Sequence, residues 1–406
     1  MEPTTSSALR DHQIAATPGL RAHRRAFVER FGGDPDDVRL FFAPGRMNLM
    51  GAHLDYNGGP VMPMAIDRGT FVALRPRGDD RLVLASTSEA GTAELALEQR
   101  SARPPQRSGS WWDYPVGVLA GLEPPAYARG ADVLFGGDLP VGAGLSSSAS
   151  MTLATAVALD ALWGLGLDVQ DAVDVALDAE REFVGVRCGI MDPYAVGHAR
   201  AGSLLLLDCA TRAFEHVPLD AERYGVCVVD TGVRRELASG EFNLRVEQCA
   251  EAYRELSKHC DAPNLSSVPL AVLDAYADEL EPAAARRARH VIEETARTLV
   301  ARDALRAGDV AGFGAAMFAA HDSLRRWFEV SIPELDVLVE CAREVPGVLG
   351  ARLTGAGFGG CVAVVFEVGA EDALAECVRA GFSARFGSEP QVALYRGSPG
   401  LGEVRA

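Results

Sequence analysis

Four polar side chains fall within five residues of the stretch GRMNLMGAHLDYNGG, Gly45 to Gly59: His53, Asp55, Tyr56 and Asn57, closed by Gly58 and Gly59. An imidazole and a carboxylate this close can fix the direction of hydroxyl groups, and a site built for a hydroxyl penalises an analogue that lacks it. A small apolar residue, Ala52, stands among them. A second stretch, PVGAGLSSSAS from Pro140 to Ser150, sets glycines and three successive serines in front of an apolar run. Glycines let backbone approach a ligand closely, and the free N–H groups and dipole of a helix start favour phosphate. The serine hydroxyls suit phosphate or a metal ion; the alternative is an ordinary serine N-cap after a tight turn. Two carboxylates follow, Glu180 late in a helix and Asp192 in the Gly- and Pro-flanked segment CGIMDP. One carboxylate can hold Mg²⁺, which takes hard oxygen ligands and keeps several waters. The other can accept a proton from a substrate hydroxyl. Each also has a plain reading, a solvated helical glutamate and a helix-capping aspartate.

The phosphate reader is not a Walker A loop, because no Gly-Lys pair exists and Lys258 is the single lysine of the chain. A typical protein kinase, with its strand lysine, is excluded on the same ground. Charge on a phosphate must then be met by backbone dipoles, Mg²⁺ and arginine. A second glycine loop, GAGFGG from Gly355 to Gly360, matches G-x-G-x-x-G in form, but the run CVAVVFEV that follows reads as a strand. A dinucleotide fingerprint needs a helix there, so a glycine hairpin approaching a ligand is expected instead.

Strands are expected at DDVRLFFAP, GTFVALRPR, LVLAST, ADVLFGG, GSLLLLDC, GVCVVDTG, CVAVVFEV and QVALYRG, from β-branched and aromatic content bounded by turn residues. Helices are expected over Ser150–Gly164, DAVDVALDAEREFVG and, in the second half, EFNLRVEQCAEAYRELSKHC, AAARRARHVIEETARTLVARDALRAGD, IPELDVLVECAREV and EDALAECVRAGFSARFG. Thr211–Arg223 reads as a joint between domains. Strands and helices mix without regular alternation, which argues for an α+β fold. The 406 residues, 48% of them hydrophobic, allow two domains with a sizeable core. A net charge of −17 disfavours nucleic acid and anionic membranes as partners. No run approaches the length of a membrane span, the start lacks an apolar signal core, and eight scattered cysteines without CxxC spacing suit a reducing cytoplasm.

Together these motifs resemble the galactokinase family of the GHMP superfamily, which takes its name from galactokinase, homoserine kinase, mevalonate kinase and phosphomevalonate kinase. APGRMNLMGAHLDYNGG resembles the galactokinase signature, PVGAGLSSSAS the phosphate loop, CGIMDP the catalytic segment and LTGAGFGGC the third glycine motif. The resemblance covers the chain from about residue 25 onward. It implies a two-domain GHMP kinase fold, spanning 20–215 and 216–406, with the active site in the cleft between the domains. It implies ATP and Mg²⁺ as cofactors, and transfer of phosphate to the anomeric hydroxyl of a small-molecule sugar. Asp192 would be the base and Arg46 its charged partner. Ser148 and Glu180 would hold Mg²⁺. Gly142, Ala143, Gly144, Leu145, Ser146, Ser147 and Ser148 would cradle the phosphates. Trp111, or its neighbour Trp112, would stack on adenine. His53, Asp55 and Gly189 would contact the sugar. Oligomeric state is not legible.

Three positions depart from the family pattern: Ala52 replaces a glutamate that contacts the C6 hydroxyl, Phe242 replaces a sugar-contacting tyrosine, and Pro193 replaces glutamine. Related plant galacturonate kinases also carry alanine at the first. Loss of a carboxylate beside C6 removes repulsion against a uronate, so the expected substrate is galacto-configured, with galacturonate favoured over galactose. An ordinary galactokinase and a catalytically silent sugar sensor are the alternatives.

Overall fold

The computed structural model describes residues 9, 13–15, 17–97, 106–122, 124–140, 144–186, 188–234, 238–398 and 400–404. The strands are β1 Gln13–Ile14, β2 Arg39–Met50, β3 Pro60–Pro76, β4 Arg81–Ser86, β5 Thr92–Ala96, β6 Ala131–Gly137, β7 Ser203–Asp208, β8 Phe214–Pro218, β9 Tyr224–Asp230, β10 Val348–Thr354, β11 Cys361–Glu367, β12 Gln391–Tyr395 and β13 Gly402–Val404. They form two sheets. The first runs β1-β13-β2-β3-β6-β4-β5, with β7 joined to β3 and β8 to β7; the second runs β10-β11-β9-β12. Mixed parallel and antiparallel pairing in the first and wholly antiparallel pairing in the second make the fold α+β.

The sugar-like signature begins as strand rather than loop. β2 carries Arg46 and Asn48 and, past its first residue, is buried along its length. Its ladder with β3 slips between Pro44 and Arg46 and again between Asn48 and Met50. Such bulges re-aim side chains locally, and here they flank Arg46 and Asn48, the two polar residues inside an otherwise apolar strand that Arg39 opens. The apolar runs on either side of Asp67–Arg68 are one strand, β3, and not two.

The helices are α1 Pro18–Phe31, α2 Asp113–Gly121, α3 Ser147–Trp163, α4 Val169–Asp178, α5 Met191–Gly197, α6 Ala238–Leu256, α7 Leu270–Tyr276, α8 Pro282–Arg306, α9 Val310–Ser323, α10 Pro333–Glu344 and α11 Glu371–Phe386. α3 packs on β2 and β3 and carries α2 and α4 against its other sides. Ser150 pins its first turn: the hydroxyl donates to Ala43 O at 2.7 Å and accepts from Thr70 N at 3.0 Å. In the second half, α9 and α10 cover β10, and α8 lies between α6 and α9.

Several elements differ from the sequence reading. α1, α2, α7 and α9 were not expected; α9, VAGFGAAMFAAHDS, has the glycines and small residues that mask a helix signal. The helix holding Glu180 loosens into a π-turn over Ala179–Val184. Asp192 lies in the first turn of α5 and not in a loop. Thr211–Arg223 contains β8, antiparallel to β7, before the chain enters the second sheet at β9. Among the described residues no helix is long and apolar enough to cross a membrane.

Candidate active site

A cavity of about 250 Å³ opens where the two halves meet; its lining includes Arg46, Ala52, His53, Asp55, Gly189, Asp192 and Phe242. Seven of the residues singled out in the sequence, 46 to 242 in number, thus come from β2, the turn after it, the Cys188–Asp192 segment and α6 into one concavity.

One end is a knot of hydrogen bonds around Asp192. Arg46 Nε donates to Asp192 Oδ1 and Nη2 to Oδ2, both at 2.7 Å, a bidentate pair that fixes carboxylate and guanidinium in one plane. Its Nη1 donates to Gly144 O at 2.6 Å. The Ser146 hydroxyl donates to Asp192 Oδ2. Ser146 occupies the N-cap position of α3 at φ 61° but makes no capping bond, so its hydroxyl does not occupy the first N–H groups of α3. The plain serine-cap reading is therefore overturned by where that hydroxyl points.

Beside this knot, Ser148 Oγ donates to Glu180 Oε2 at 3.1 Å. Glu180 is 3% exposed, and its Oε1 is buried with no hydrogen-bond partner. Burial, with the Asp192 charge adding and Ser148 and Arg46 opposing, pushes the Glu180 carboxyl up to about 7. An orphaned buried carboxylate oxygen next to a hydroxyl fits a hard divalent cation. Among the described residues no group of three or more His, Cys, Asp or Glu closes round a metal. A pair of protein oxygens, completed by phosphate and water, is the set Mg²⁺ takes in phosphoryl-transfer sites.

Gly144, at φ 69°, faces Gly355, at φ 84°: a Cβ on Gly144 would lie 3.6 Å from Gly355 Cα. The two glycine loops thus meet backbone to backbone, as a hairpin approaching the phosphate site requires. Gly142 and Ala143 lie outside the described residues. Leu145 is buried and its carbonyl accepts from Arg46 N at 3.0 Å; Ser147 opens α3. Trp111 and Trp112 lie just ahead of α2, both half-buried and edge to face at 5.8 Å; neither lines the cavity. Trp111 is held by its Nε1 on Ala90 O at 3.2 Å, and Trp112 lies over Gly91. Lys258 pairs with Glu255 near the end of α6.

Asp55 sits at the cavity wall, where burial first and Asp192 second push its carboxyl up to about 6. Gly189 is required opposite: a Cβ there would fall 1.9 Å from Asp55 Oδ2. Arg181 holds this segment through two bonds to Cys188 O, at 3.0 and 2.8 Å. The other end is aromatic. His53 stands at φ 60°, its ring 4.4 Å from Phe328 and 6.1 Å from Phe242. Its Nδ1 meets Tyr56 Oη at 3.0 Å. Its Nε2 faces the Ala356 backbone without a bond of regular geometry. Burial, with His290, Arg352 and Arg245 nearby, holds His53 well below the usual imidazole range, so the ring is neutral. Ala52 is 2% exposed, and its carbonyl meets His290 Nε2 at 3.2 Å.

Sequence reasoning missed the supports. Arg181 follows Glu180, but only the π-turn swings it toward Cys188. His290 and Glu294, one helical turn apart on α8, hold Ala52 O and Gly51 N; their i, i+4 spacing marks one helix face but not what it meets. Tyr56 was visible in the signature, yet its partner His53 becomes evident only in the turn.

The galactokinase galactose-binding signature matches residues 25–76, the GHMP kinases N terminal domain 113–200 and the GHMP kinases C terminal region 301–384. A galactokinase of Enterococcus faecalis is 41% identical over 366 residues, covering 89% of this chain and 93% of the relative. The human galactokinase is 40% identical over 370 residues, covering 90% and 92%. The crystal structure of Lactococcus lactis galactokinase complexed with galactose superposes with a TM-score of 0.87 at 33% identity, covering 94% of this chain and 99% of that one. A mevalonate kinase structure at 19% identity and TM-score 0.65 shares the fold. The chain belongs to the galactokinase family of the GHMP kinases and is a sugar kinase of the galactokinase type.

Proposed function

We propose that this enzyme transfers the γ-phosphoryl group of ATP to the anomeric hydroxyl of a galacto-configured sugar, with galacturonate favoured over galactose. The observation that carries the reaction is the Arg46–Asp192–Ser146 knot at one end of a sugar-sized cavity. Asp192 takes the proton as the sugar oxygen forms its bond to phosphorus and the bond to the ADP oxygen breaks. Arg46 stabilises the charge that builds on that oxygen, and the α3 N–H groups with the facing glycine loop receive the phosphates. Ser148 and Glu180 would hold Mg²⁺, which when bound neutralises phosphate charge that no lysine is placed to meet. Trp111, or Trp112, would cover adenine. The division into 20–215 and 216–406 accompanies this reading, supported by a second sheet, β9 to β12, built wholly from the second half, although β8 runs across the boundary and β13 returns to the first sheet.

His53, Asp55 and Gly189 would read ring hydroxyls. Ala52 and Phe242 make the far end less polar and less negative than a glutamate and a tyrosine would. Two like charges about 4 Å apart at an effective dielectric near 20 repel by roughly 4 kcal/mol, so a glutamate there would exclude a uronate and alanine does not. Galactose is the second reading, favoured by the galactokinase relatives near 40% identity. Turnover of Mg·ATP across galactose, galacturonate, fucose and galactosamine tests both. The galacturonate reading expects the highest kcat/KM on galacturonate and a shift toward galactose of at least tenfold in Ala52→Glu. A wild type that uses galactose and ignores galacturonate overturns it, and no turnover on any sugar overturns the kinase reading.

A further inference from the structure

One layer beneath the Ala52 end of the cavity lies a guanidinium whose charge is poorly met. Arg352, on β10, is fully buried. Its Nε donates to Leu353 O at 2.9 Å and its Nη1 to Leu49 O at 3.3 Å, while its Nη2 is buried with no hydrogen-bond partner. The carboxylate beside it, Glu294, is 3.7 Å away and committed elsewhere. Glu294 Oε2 accepts from Arg297, and Oε1 accepts from the Gly51 N–H at 3.1 Å. Arg297 reaches a second carboxylate, Glu293, at 3.9 Å toward the surface. Burial pushes His290, packed on the same segment, down to about 3, so it brings no charge. Burial also lowers Arg352 itself, to about 10.

The backbone above this cation runs Leu49, Met50, Gly51, Ala52 and offers no side-chain charge. His53, next in line and lining the cavity, already feels the Arg352 charge. The same cavity is lined by Asp55 and by Asp192, the latter paired with Arg46. Asp55 thus lines the cavity where the hydroxyl would react, while behind the Gly51–Ala52 backbone two arginines, Arg352 and Arg297, face one buried carboxylate, Glu294. A substrate with a carboxylate at the end remote from its reacting hydroxyl matches that arrangement; a glutamate at position 52 would match it in the substrate's place.

We propose that Arg352 determines specificity by selecting a carboxylate-bearing sugar, its charge acting across the Gly51–Ala52 backbone while Ala52 leaves the anion to be supplied by the substrate. This inference rests on the galacturonate reading and names the cation that reading needs.

The test compares kcat/KM on galacturonate and on galactose, with melting temperatures, for the full-length wild type, Arg352→Gln and Arg352→Lys. Arg352→Gln should lower the galacturonate-to-galactose ratio at least tenfold. Arg352→Lys, which keeps the charge, should hold it within threefold, an outcome that a purely structural role for the arginine does not give. If Arg352→Gln does not fold, Ala52→Glu carries the test. A glutamate at this buried position without a cation would lower the melting temperature, whereas one set over Arg352 should leave it unchanged or higher. An unchanged ratio in Arg352→Gln, or a melting temperature more than about 3 °C lower in Ala52→Glu, overturns the proposal. A wild type that rejects galacturonate removes the substrate reading and this inference together. Galacturonate turnover equal in wild type and Arg352→Gln removes this inference alone.

Discussion

The two ends of the cavity are built on opposite principles. Around Asp192 both carboxylate oxygens are bonded, by Arg46 and Ser146, and Arg46 spends a further donor on Gly144. Around Ala52 the polar atoms are left wanting: Arg352 Nη2, His53 Nε2 and Asn48 Oδ1 are all buried without a hydrogen-bond partner. An interior normally avoids such atoms, because each costs about 1–3 kcal/mol. The contrast teaches that the Asp192 knot is assembled by the protein alone, whereas the recognising end, like the orphaned Glu180 oxygen beside the knot, is completed by what it binds.

The hardest blow to that contrast is Asp192→Asn. The amide keeps the shape but cannot take the proton, and loss of a general base costs roughly 10²–10⁴ in rate. kcat should fall by that factor with sugar affinity and melting temperature near wild type; turnover within threefold would show that the knot is only structural.

Glu180 tests whether the reacting end is complete without its ion. Its carboxyl lies at about 7, above the ordinary 4.5, so the folded protein holds a proton that the unfolded chain has released. That stabilisation is full below about 4.5 and is lost as pH rises through about 7. Mg²⁺ needs the ionised form, so its apparent affinity should fall on the order of tenfold per pH unit below about 7. Glu180→Gln should weaken Mg²⁺ and flatten that dependence. Titration of Mg²⁺ at pH 5.5, 6.5 and 7.5 (from roughly 1.5 units below to half a unit above the shifted value) checks it; a wild-type affinity independent of pH would contradict the assignment.

The mildest change sharpens the recognising end. Tyr56→Phe removes the phenol that meets His53 Nδ1 at 3.0 Å and leaves the ring packing in place. One neutral hydrogen bond is worth about 1 kcal/mol, so the sugar KM should rise about fivefold while the ATP KM stays unchanged. An equal rise in both would place Tyr56 outside sugar recognition.

Legibility followed the same division. Arg46, Ser146, Glu180 and Asp192 stood out because catalytic chemistry needs particular residue types beside particular glycines, and local spacing records that. Most expected strands and helices formed for the same reason: periodicity and breakers are local. The supports were hidden. Arg181 acts through a π-turn, His290 and Glu294 meet the sugar turn across 238 and 243 residues, and Arg352 meets Leu49 at the end of β2 across 303. No local pattern records a contact at such range. Ala52 was noticed at once, yet its meaning depended on the arginine beneath it, which only the packed second half supplies.

β13 carries a consequence of a different kind. Residues 402–404 insert between β1 and β2, with Gly402 opposite Phe42 and Glu403 opposite Phe41, and Glu403 clasps Arg39 through two bonds at 2.7 and 2.8 Å. Until those residues leave the ribosome, the edge of β2 has no neighbour on that side. Pairing at this range is slow, and an unpaired apolar edge invites other chains. The nascent protein must therefore hold its signature strand with one edge open until residues 402–404 arrive, and their arrival decides when the first sheet closes.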